Sequence, residues 1–192
     1  MKNFIFSVGI LMGLISIFNP FINNGVSDKT AIRQYLEKKK KLSISCTPDR
    51  NDLSLFPEDD FSMVPLPGWG NYDWKIKSSS DSAKFYFRQG INMYYSFHII
   101  ESLATIKKAS FLDPAAPMPY WGMALAYGPN INDVTYSATP LALEAIKKAE
   151  TLLKGSSDFE KGLINAMLLR YSGDTSKKRI ELDGAYALAM KE

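Results

Sequence analysis

The residue types in this sequence exclude the commonest forms of enzymatic chemistry. His98 is the only histidine and Cys46 is the only cysteine, so a metal site of several histidines and an internal disulfide are both excluded. The sequence has no Gly-rich phosphate loop, no CxxC motif and no HExxH motif. We therefore expect no catalytic residue, metal or cofactor, and we expect His98 to cap a helix or face solvent in a turn.

Two short segments are rich in the oxygen ligands that calcium prefers. Residues 58–60 form an acidic cluster, Glu-Asp-Asp, and residues 130–133 read Asn-Ile-Asn-Asp. The acidic cluster lacks a spaced ligand loop that contains glycine, and Asn and Asp are ordinary turn formers. The sequence therefore favours a solvated loop and a turn, while Asn130 and Asn132 stay candidate binding residues.

Aromatic side chains are the other candidates for binding. If five of them were exposed together, they would form a surface on which a sugar or another small ligand could stack. These residues are Trp69, Trp74, Tyr94, Tyr95 and Trp121. The alternative for the aromatic, turn-rich segment 65–74 is a structured cap that packs against the rest of the domain.

The charge balance argues against nucleic acid as a partner. The chain has 23 basic and 20 acidic residues, for a net charge of +3, whereas nucleic-acid binding needs basic residues clustered on one face. The nearest such feature is the lysine run 38–41. A run this short is typical of a solvated helix end.

The beginning of the chain differs from the rest. Lys2 precedes an apolar run from Phe4 to Phe18, and Asn19-Pro20 then interrupts it. This pattern predicts a signal peptide over about residues 1–25, although the absence of a clear cleavage site leaves an uncleaved membrane anchor as the alternative. In either case we expect an exported protein, in the periplasm or anchored so that it faces the periplasm or exterior.

The elements that would position the candidate residues begin after this segment. Residues 26–81 predict a linker with one short helix, followed by an irregular cap rich in proline, glycine and aromatic residues. Residues 82–192 predict six helices, because apolar residues recur three or four positions apart. Ser157 with Glu160 predicts a capping box at the start of the fifth of these helices.

The helical part repeats itself. Tyr86, Gly90 and Met93 recur as Tyr120, Ala124 and Tyr127, 34 residues later. Two helices per 34 residues is the period of a tetratricopeptide repeat, or TPR. The sequence therefore predicts an all-α solenoid of antiparallel helix pairs, with units at about 83–116, 117–156 and a partial 157–192. Gly90 and Ala124 should lie at close helix crossings.

Four segments resemble a group of exported bacterial TPR proteins. They are 87–90 (Phe-Arg-Gln-Gly), 92–95 (Asn-Met-Tyr-Tyr), 112–114 (Leu-Asp-Pro) and 120–132 (Tyr-Trp-Gly-Met-Ala-Leu-Ala-Tyr-Gly-Pro-Asn-Ile-Asn). The resemblance covers about residues 66–192. It implies a right-handed superhelix and a longer chain, but no particular activity.

The sequence departs from this group at two positions. Relatives often carry a histidine and a cysteine where this chain has Ile99 and Ala116, and His98 lies one place early. The resemblance therefore implies that any metal or redox role of that pair is lost here.

Three classes of function follow from these observations. The first is a scaffold that binds a protein or peptide partner on its helical face. The second is an envelope protein that binds a sugar or small molecule through exposed aromatic side chains, and an enzyme is the third and least favoured class. We also expect the apolar stripe 185–190 to be left without a partner, so that this helix frays or pairs with a second copy of a truncated chain.

Overall fold

All regular secondary structure in the described part of the chain is helical. The computed structural model describes residues 29–42, 52, 55–57, 60–132, 134 and 138–192. These residues form seven α-helices and no strand, which confirms the all-α prediction. The predicted signal peptide or anchor at 1–25, Cys46, residues 58 and 59, and Asp133 lie outside them. No described helix is both long and apolar enough to cross a membrane.

The observed helices match the one short helix predicted within residues 26–81 and the six helices predicted within residues 82–192. They are α1 (Lys29–Lys39), α2 (Asp81–Tyr95), α3 (Ile99–Leu112), α4 (Pro117–Ala126), α5 (Thr139–Thr151), α6 (Asp158–Arg170) and α7 (Arg179–Ala189). The remaining described residues form turns and extended segments between these helices.

Local hydrogen bonds fix several of the helix ends. The Ser80 hydroxyl accepts a hydrogen bond from the Ala83 amide at the start of α2. The predicted capping box at Ser157 and Glu160 is present at the start of α6, so that prediction is confirmed. The turn after α2 has the paired hydrogen bonds of a Schellman motif, with Phe97 in the left-handed conformation (φ 63°) that glycine usually adopts there.

Helices that are adjacent in the chain are also adjacent in space. From α2 to α7 each helix packs against the next one. In addition α2 contacts α4, and α4 contacts α6. The first, third and fifth helices of this set therefore lie side by side, and we call the surface they form the α2–α4–α6 face.

Gly90 lies at a close helix crossing, as predicted. A Cβ atom at this position would overlap the Ile106 side chain of α3. The Ser102 hydroxyl also donates a hydrogen bond of 2.8 Å to the Gly90 carbonyl. Ile106 reaches α4 as well, where it would lie 3.1 Å from a Cβ atom placed on Gly122. One isoleucine thus fills the space between three helices, and Ala124 is fully buried nearby in α4.

The segment before α2 covers the first helix pair. Tyr35 of α1, with Phe56, Met63 and Val64, packs against Met93 and two residues of α3. Three lysines of the run 38–41 pair with carboxylates: Lys38 with Asp60, Lys39 with Glu101 and Lys40 with Glu37. Lys38 and Lys39 therefore anchor α1 to the domain, whereas the Lys40–Glu37 pair is local to the exposed end of α1.

The last helix differs from the others in its burial. No residue of α7 is buried, and Ile180 and Leu188 are 78% and 67% exposed. Tyr186 is the member of α7 that packs against the main core. Within the stripe 185–190, Leu188 and Met190 are exposed and Ala185 and Ala189 are half-buried, and the fraying or pairing of this helix stays a prediction.

Candidate functional site

An extended segment crosses the α2–α4–α6 face, and it organises the site. We call residues 64–79 the strap. Its prolines and glycines prevent a helix, so its polar backbone groups need other partners. Side chains of α2 supply some of them. The Gln89 side chain bonds to the backbone of Val64 and Leu66, and the Asn92 side chain bonds to both backbone groups of Tyr72.

The strap then passes from α2 to α6. Its Asp73 pairs with Arg88 of α2 at 3.1 Å. Further along, the Lys77 amide donates a hydrogen bond of 2.8 Å to the buried Glu160 carboxylate at the start of α6. The strap therefore covers the half of the face that contains the beginnings of α4 and α6.

Two of the predicted binding residues, Trp74 of the strap and Trp121 of α4, meet where the strap lies on the helices. The ring centroids of Trp74 and Trp121 are 5.4 Å apart, and Trp74 also contacts Phe87 and Phe159. Trp121 is only 2% exposed, and its indole nitrogen donates a hydrogen bond to the Leu163 carbonyl. Trp121 is therefore buried away from any open stacking surface, and the half-buried Trp74 ring packs against three helices and holds the strap on them.

Trp69 lies elsewhere, beside the single histidine. Its ring meets the His98 ring edge-on at 4.6 Å, and the Lys39 ammonium lies 5.2 Å from the Trp69 ring centroid. The Glu101 carboxylate is buried and lies 2.8 Å from Lys39 Nζ and 3.3 Å from His98 Nδ1. His98 occupies the N-cap position of α3, as expected, but its side chain makes no capping hydrogen bond. Sequence reasoning missed its two charged neighbours.

Tyr94 and Tyr95 mark the open half of the α2–α4–α6 face. Tyr94 is close enough to Arg170 and Tyr186 to interact electrostatically with both, and Tyr95 interacts in the same way with Tyr186 and Tyr72. These residues come from the strap, from the end of α2, and from α6 and α7. We call Tyr94, Tyr95, Arg170, Arg179 and Tyr186 the tyrosine–arginine cluster.

Two arginines form the floor of this cluster. The Arg170 guanidinium lies 4.9 Å from the Tyr186 ring centroid and 5.9 Å from that of Tyr171, and it donates a hydrogen bond of 2.9 Å to the Pro129 carbonyl. Arg179 lies 5.8 Å from the Tyr171 ring, and Asp183 pairs with it at 3.0 Å. Among the described residues, Asp183 is the only carboxylate that pairs with either guanidinium. The cluster therefore carries an excess of positive charge.

The tyrosines of the cluster stay protonated at neutral pH. Burial raises the pKa of Tyr94, and the neighbouring tyrosines add to this, while Arg170 opposes it. Burial also raises the pKa values of Tyr95 and Tyr186. Protonated hydroxyls donate and accept hydrogen bonds. With the arginines they provide aromatic area, hydroxyl groups and guanidinium donors on one surface.

The loop after α4 forms one wall of the cluster. The Asn132 amide donates a hydrogen bond of 2.8 Å to the Asn130 side chain, which is the turn that the sequence favours. Ile131 at its tip is 81% exposed, and the bond from Arg170 to Pro129 ties the loop to α6. Among the described residues, no group of three or more His, Cys, Asp or Glu side chains is arranged to hold a metal.

The seven predicted binding residues thus fall into three places. Four belong to the cluster or its wall: Tyr94, Tyr95, Asn130 and Asn132. Trp74 and Trp121 pack together where the strap lies on the helices, and Trp69 lies beside His98. Sequence reasoning missed the arginines and Tyr186. A signal for Arg170 was available, since it lies in the last turn of α6 as Tyr94 and Tyr95 lie in the last turn of α2. No protein-family model matches the chain, and no curated protein or solved structure is significantly similar to it.

Proposed function

We propose that the chain is a TPR-type interaction scaffold that binds a protein or peptide partner on its α2–α4–α6 face. The helices would form three antiparallel pairs, α2–α3, α4–α5 and α6–α7, in a right-handed superhelix. Their packing order supports this, because each pair contacts the next and the first helices of successive pairs touch. The repeat of Tyr86 and Gly90 as Tyr120 and Ala124 supports it independently.

The strap is the observation that carries the proposal. It is an extended segment lying across three helices, fixed by side-chain bonds to its backbone from Gln89 and Asn92 and by the insertion of Trp74. Helical-repeat proteins bind their partners on extended concave surfaces of this kind. The α2–α4–α6 face is thus suited to binding an extended chain. The strap leaves open the half of this face that carries Tyr94 and Tyr95.

The tyrosine–arginine cluster would provide the binding energy in that open half. Tyrosine and arginine are enriched among the residues that dominate protein interfaces, because both combine a large flat surface with hydrogen-bonding groups. Tyr95 is 59% exposed and Ile131 is 81% exposed. The partner would meet an aromatic and cationic surface, with the loop after α4 at its edge.

We infer further that this scaffold works outside the cytoplasm, because the apolar run from Phe4 to Phe18 after Lys2 has the length and charge of a signal segment. The alternative function is binding of a sugar or small molecule by exposed aromatic side chains. It has less support, because Trp121 is buried and Trp74 is packed between helices. An enzymatic function has the least support from the residues that the face presents.

Site-specific photo-cross-linking in an envelope extract tests the proposal. A photoreactive phenylalanine analogue replaces Tyr95 in the cluster, and a matched control carries it at Glu144, an exposed residue of α5. We expect a discrete protein adduct from position 95 only, with a lower yield when Arg170→Ala is added. Equal adducts from both positions, or none from position 95, would contradict binding on this face.

A further inference from the structure

A second surface feature lies outside the tyrosine–arginine cluster. It is a cleft of about 520 Å³ where the end of the strap meets the loop before α4 and the loop before α6. Ile76, Ala116, Pro117 and Leu152 form its apolar walls. A volume of this size lies in the range of small-molecule sites.

Three lysines from different elements line this cleft. Lys77 belongs to the strap, Lys84 to α2 and Lys154 to the loop before α6. Lys77 Nζ donates a hydrogen bond of 3.1 Å to the Gly155 carbonyl, which leaves its charge uncompensated. Lys84 pairs with Asp81 at 2.9 Å, but that carboxylate is almost fully exposed, so water weakens the pair. Among the described residues no carboxylate pairs with Lys154.

The carboxylates near the cleft are already occupied. Asp113 accepts hydrogen bonds from the Ser78 hydroxyl at 2.6 Å and from the Ser79 amide at 2.8 Å. Glu160 accepts from the Lys77 and Ser157 amides, both at 2.8 Å. These bonds fix the strap and the loops. Asp113 itself lines the cleft, yet among the described residues neither carboxylate forms an ion pair with Lys77, Lys84 or Lys154.

A buried hydroxyl also lacks a partner here. Ser156 lines the cleft and is only 8% exposed, and its Oγ has no hydrogen-bond partner among the described residues. A buried polar atom without a partner is costly, so such atoms usually mark a missing water or ligand. The hydroxyl and the three ammonium groups can all donate hydrogen bonds to the same partner, an oxyanion.

We propose that this lysine cleft binds a small molecule that carries a phosphate group. A phosphate monoester carries close to two negative charges and three acceptor oxygens at neutral pH, so it matches three ammonium groups and a hydroxyl better than a singly charged carboxylate does. Lysine is also a common phosphate ligand in proteins, where it acts as a point charge. The apolar walls leave room beside the phosphate for an organic body, so the ligand is a phosphate ester rather than the free ion.

Calorimetric titration of the purified protein tests this proposal with three probes of similar size: glycerol 3-phosphate, glycerol and glycerate. Glycerol 3-phosphate should bind, and glycerol should not. Lys154→Gln and Lys84→Gln should each weaken the binding by about tenfold, the effect of losing one hydrogen bond to a charged group. Lys147→Gln, on the exposed side of α5, is the matched control and should leave binding unchanged.

Each other outcome identifies a specific error. Tight binding of glycerate would indicate a general anion site and overturn the assignment to phosphate. Equal affinities for Lys154→Gln and Lys147→Gln would place any bound phosphate outside the cleft. Absence of glycerol 3-phosphate binding at millimolar concentration would overturn the proposal altogether. The cross-linking experiment at position 95 tests the tyrosine–arginine cluster, which is a different surface. Its result is therefore independent of the outcome of these phosphate titrations.

Discussion

The ring centroids of Trp74 and Trp121 lie 5.4 Å apart, which joins an extended strap to the centre of the helical array. The same Trp74 ring reaches Phe87 of α2 and Phe159 of α6. One side chain thus contacts three helices that are far apart in the sequence. This contact holds the middle of the strap on the α2–α4–α6 face, together with the hydrogen bonds from Gln89 and Asn92.

Trp74→Ala should detach the middle of the strap and lower the free energy of unfolding by about 3 kcal/mol, as for other large-to-small core changes. Chemical denaturation followed by circular dichroism measures this. Trp74→Phe keeps a ring in place and removes an indole N–H that has no partner among the described residues, so its cost should be much smaller. Tyr72→Ala is the comparison, since its 58% exposed ring meets the Trp74 ring edge-on at 6.0 Å and its loss leaves the contacts of Trp74 with the helices in place. Equal losses for Trp74→Ala and Tyr72→Ala would contradict this role of Trp74.

Gly90→Ala should destabilise the protein by about 1–3 kcal/mol, because the added methyl group overlaps Ile106 and overpacks the helix crossing. Gly90→Leu should lower the free energy of unfolding further. Gly162→Ala is the matched control in α6, where a Cβ atom would meet nothing within 4 Å. Because alanine has the better helix propensity, this variant should be more stable than the unmodified protein by up to about 1 kcal/mol. Thermal melting of the two alanine variants compares them directly. An unchanged melting temperature for Gly90→Leu would count against the close crossing.

Asp113 should make the stability dependent on pH. Burial by itself raises the pKa of Asp113, but hydrogen bonds from Ser78, Ser79 and Ala115 outweigh it and hold the pKa below its ordinary value of 3.8. A lowered pKa in the folded state means that Asp113 stabilises the fold above pH 3.8 and loses this effect as the pH falls through the folded-state pKa.

Asp113→Asn should therefore cost about 1–3 kcal/mol at neutral pH, since the bonds to a charged acceptor are weakened. The difference from the unmodified protein should shrink below pH 3.8. Denaturation at a series of pH values measures it, with the fully exposed Asp158 as the control position in Asp158→Asn. A difference that is constant from neutral to acidic pH would rule out this linkage.

His98→Ala should change the affinity for a protein partner by no more than a factor of a few. His98 interacts with Lys39, Glu101 and Trp69 near α1, whereas the tyrosine–arginine cluster contains none of these residues. The affinity of an identified cross-linked partner for the two proteins tests this. A 100-fold loss, equivalent to about 2.7 kcal/mol, would bring back a direct functional role for the only histidine.

The amides of α7 should exchange with solvent faster than those of α3. No residue of α7 is buried, whereas most of α3 is, and local opening is easiest where few apolar contacts must be broken. Hydrogen exchange read by mass spectrometry compares peptides from 179–189 and 99–112, and light scattering reports the oligomeric state. Equal protection of the two helices in a monomer would contradict this expectation.

The sequence by itself determined the helices and their repetition. Apolar spacing, the capping box of Ser157 and Glu160, and the recurrence of Gly90 as Ala124 are local signals. They act through hydrogen bonds and side-chain packing within a few turns of one helix or its neighbour. For this reason the helices and the close crossing at Gly90 could be predicted without a structure.

Only the tertiary structure decided which of the aromatic residues are available to bind. Trp74 and Trp121 resemble Tyr95 in the sequence, but the strap packs the first two together while Tyr95 stays open beside Tyr186. Burial depends on where a strap without regular structure settles on three separate helices, and no local pattern encodes that. The lysine cleft has the same origin, because Lys77 and Lys154 become neighbours only after the strap is in place.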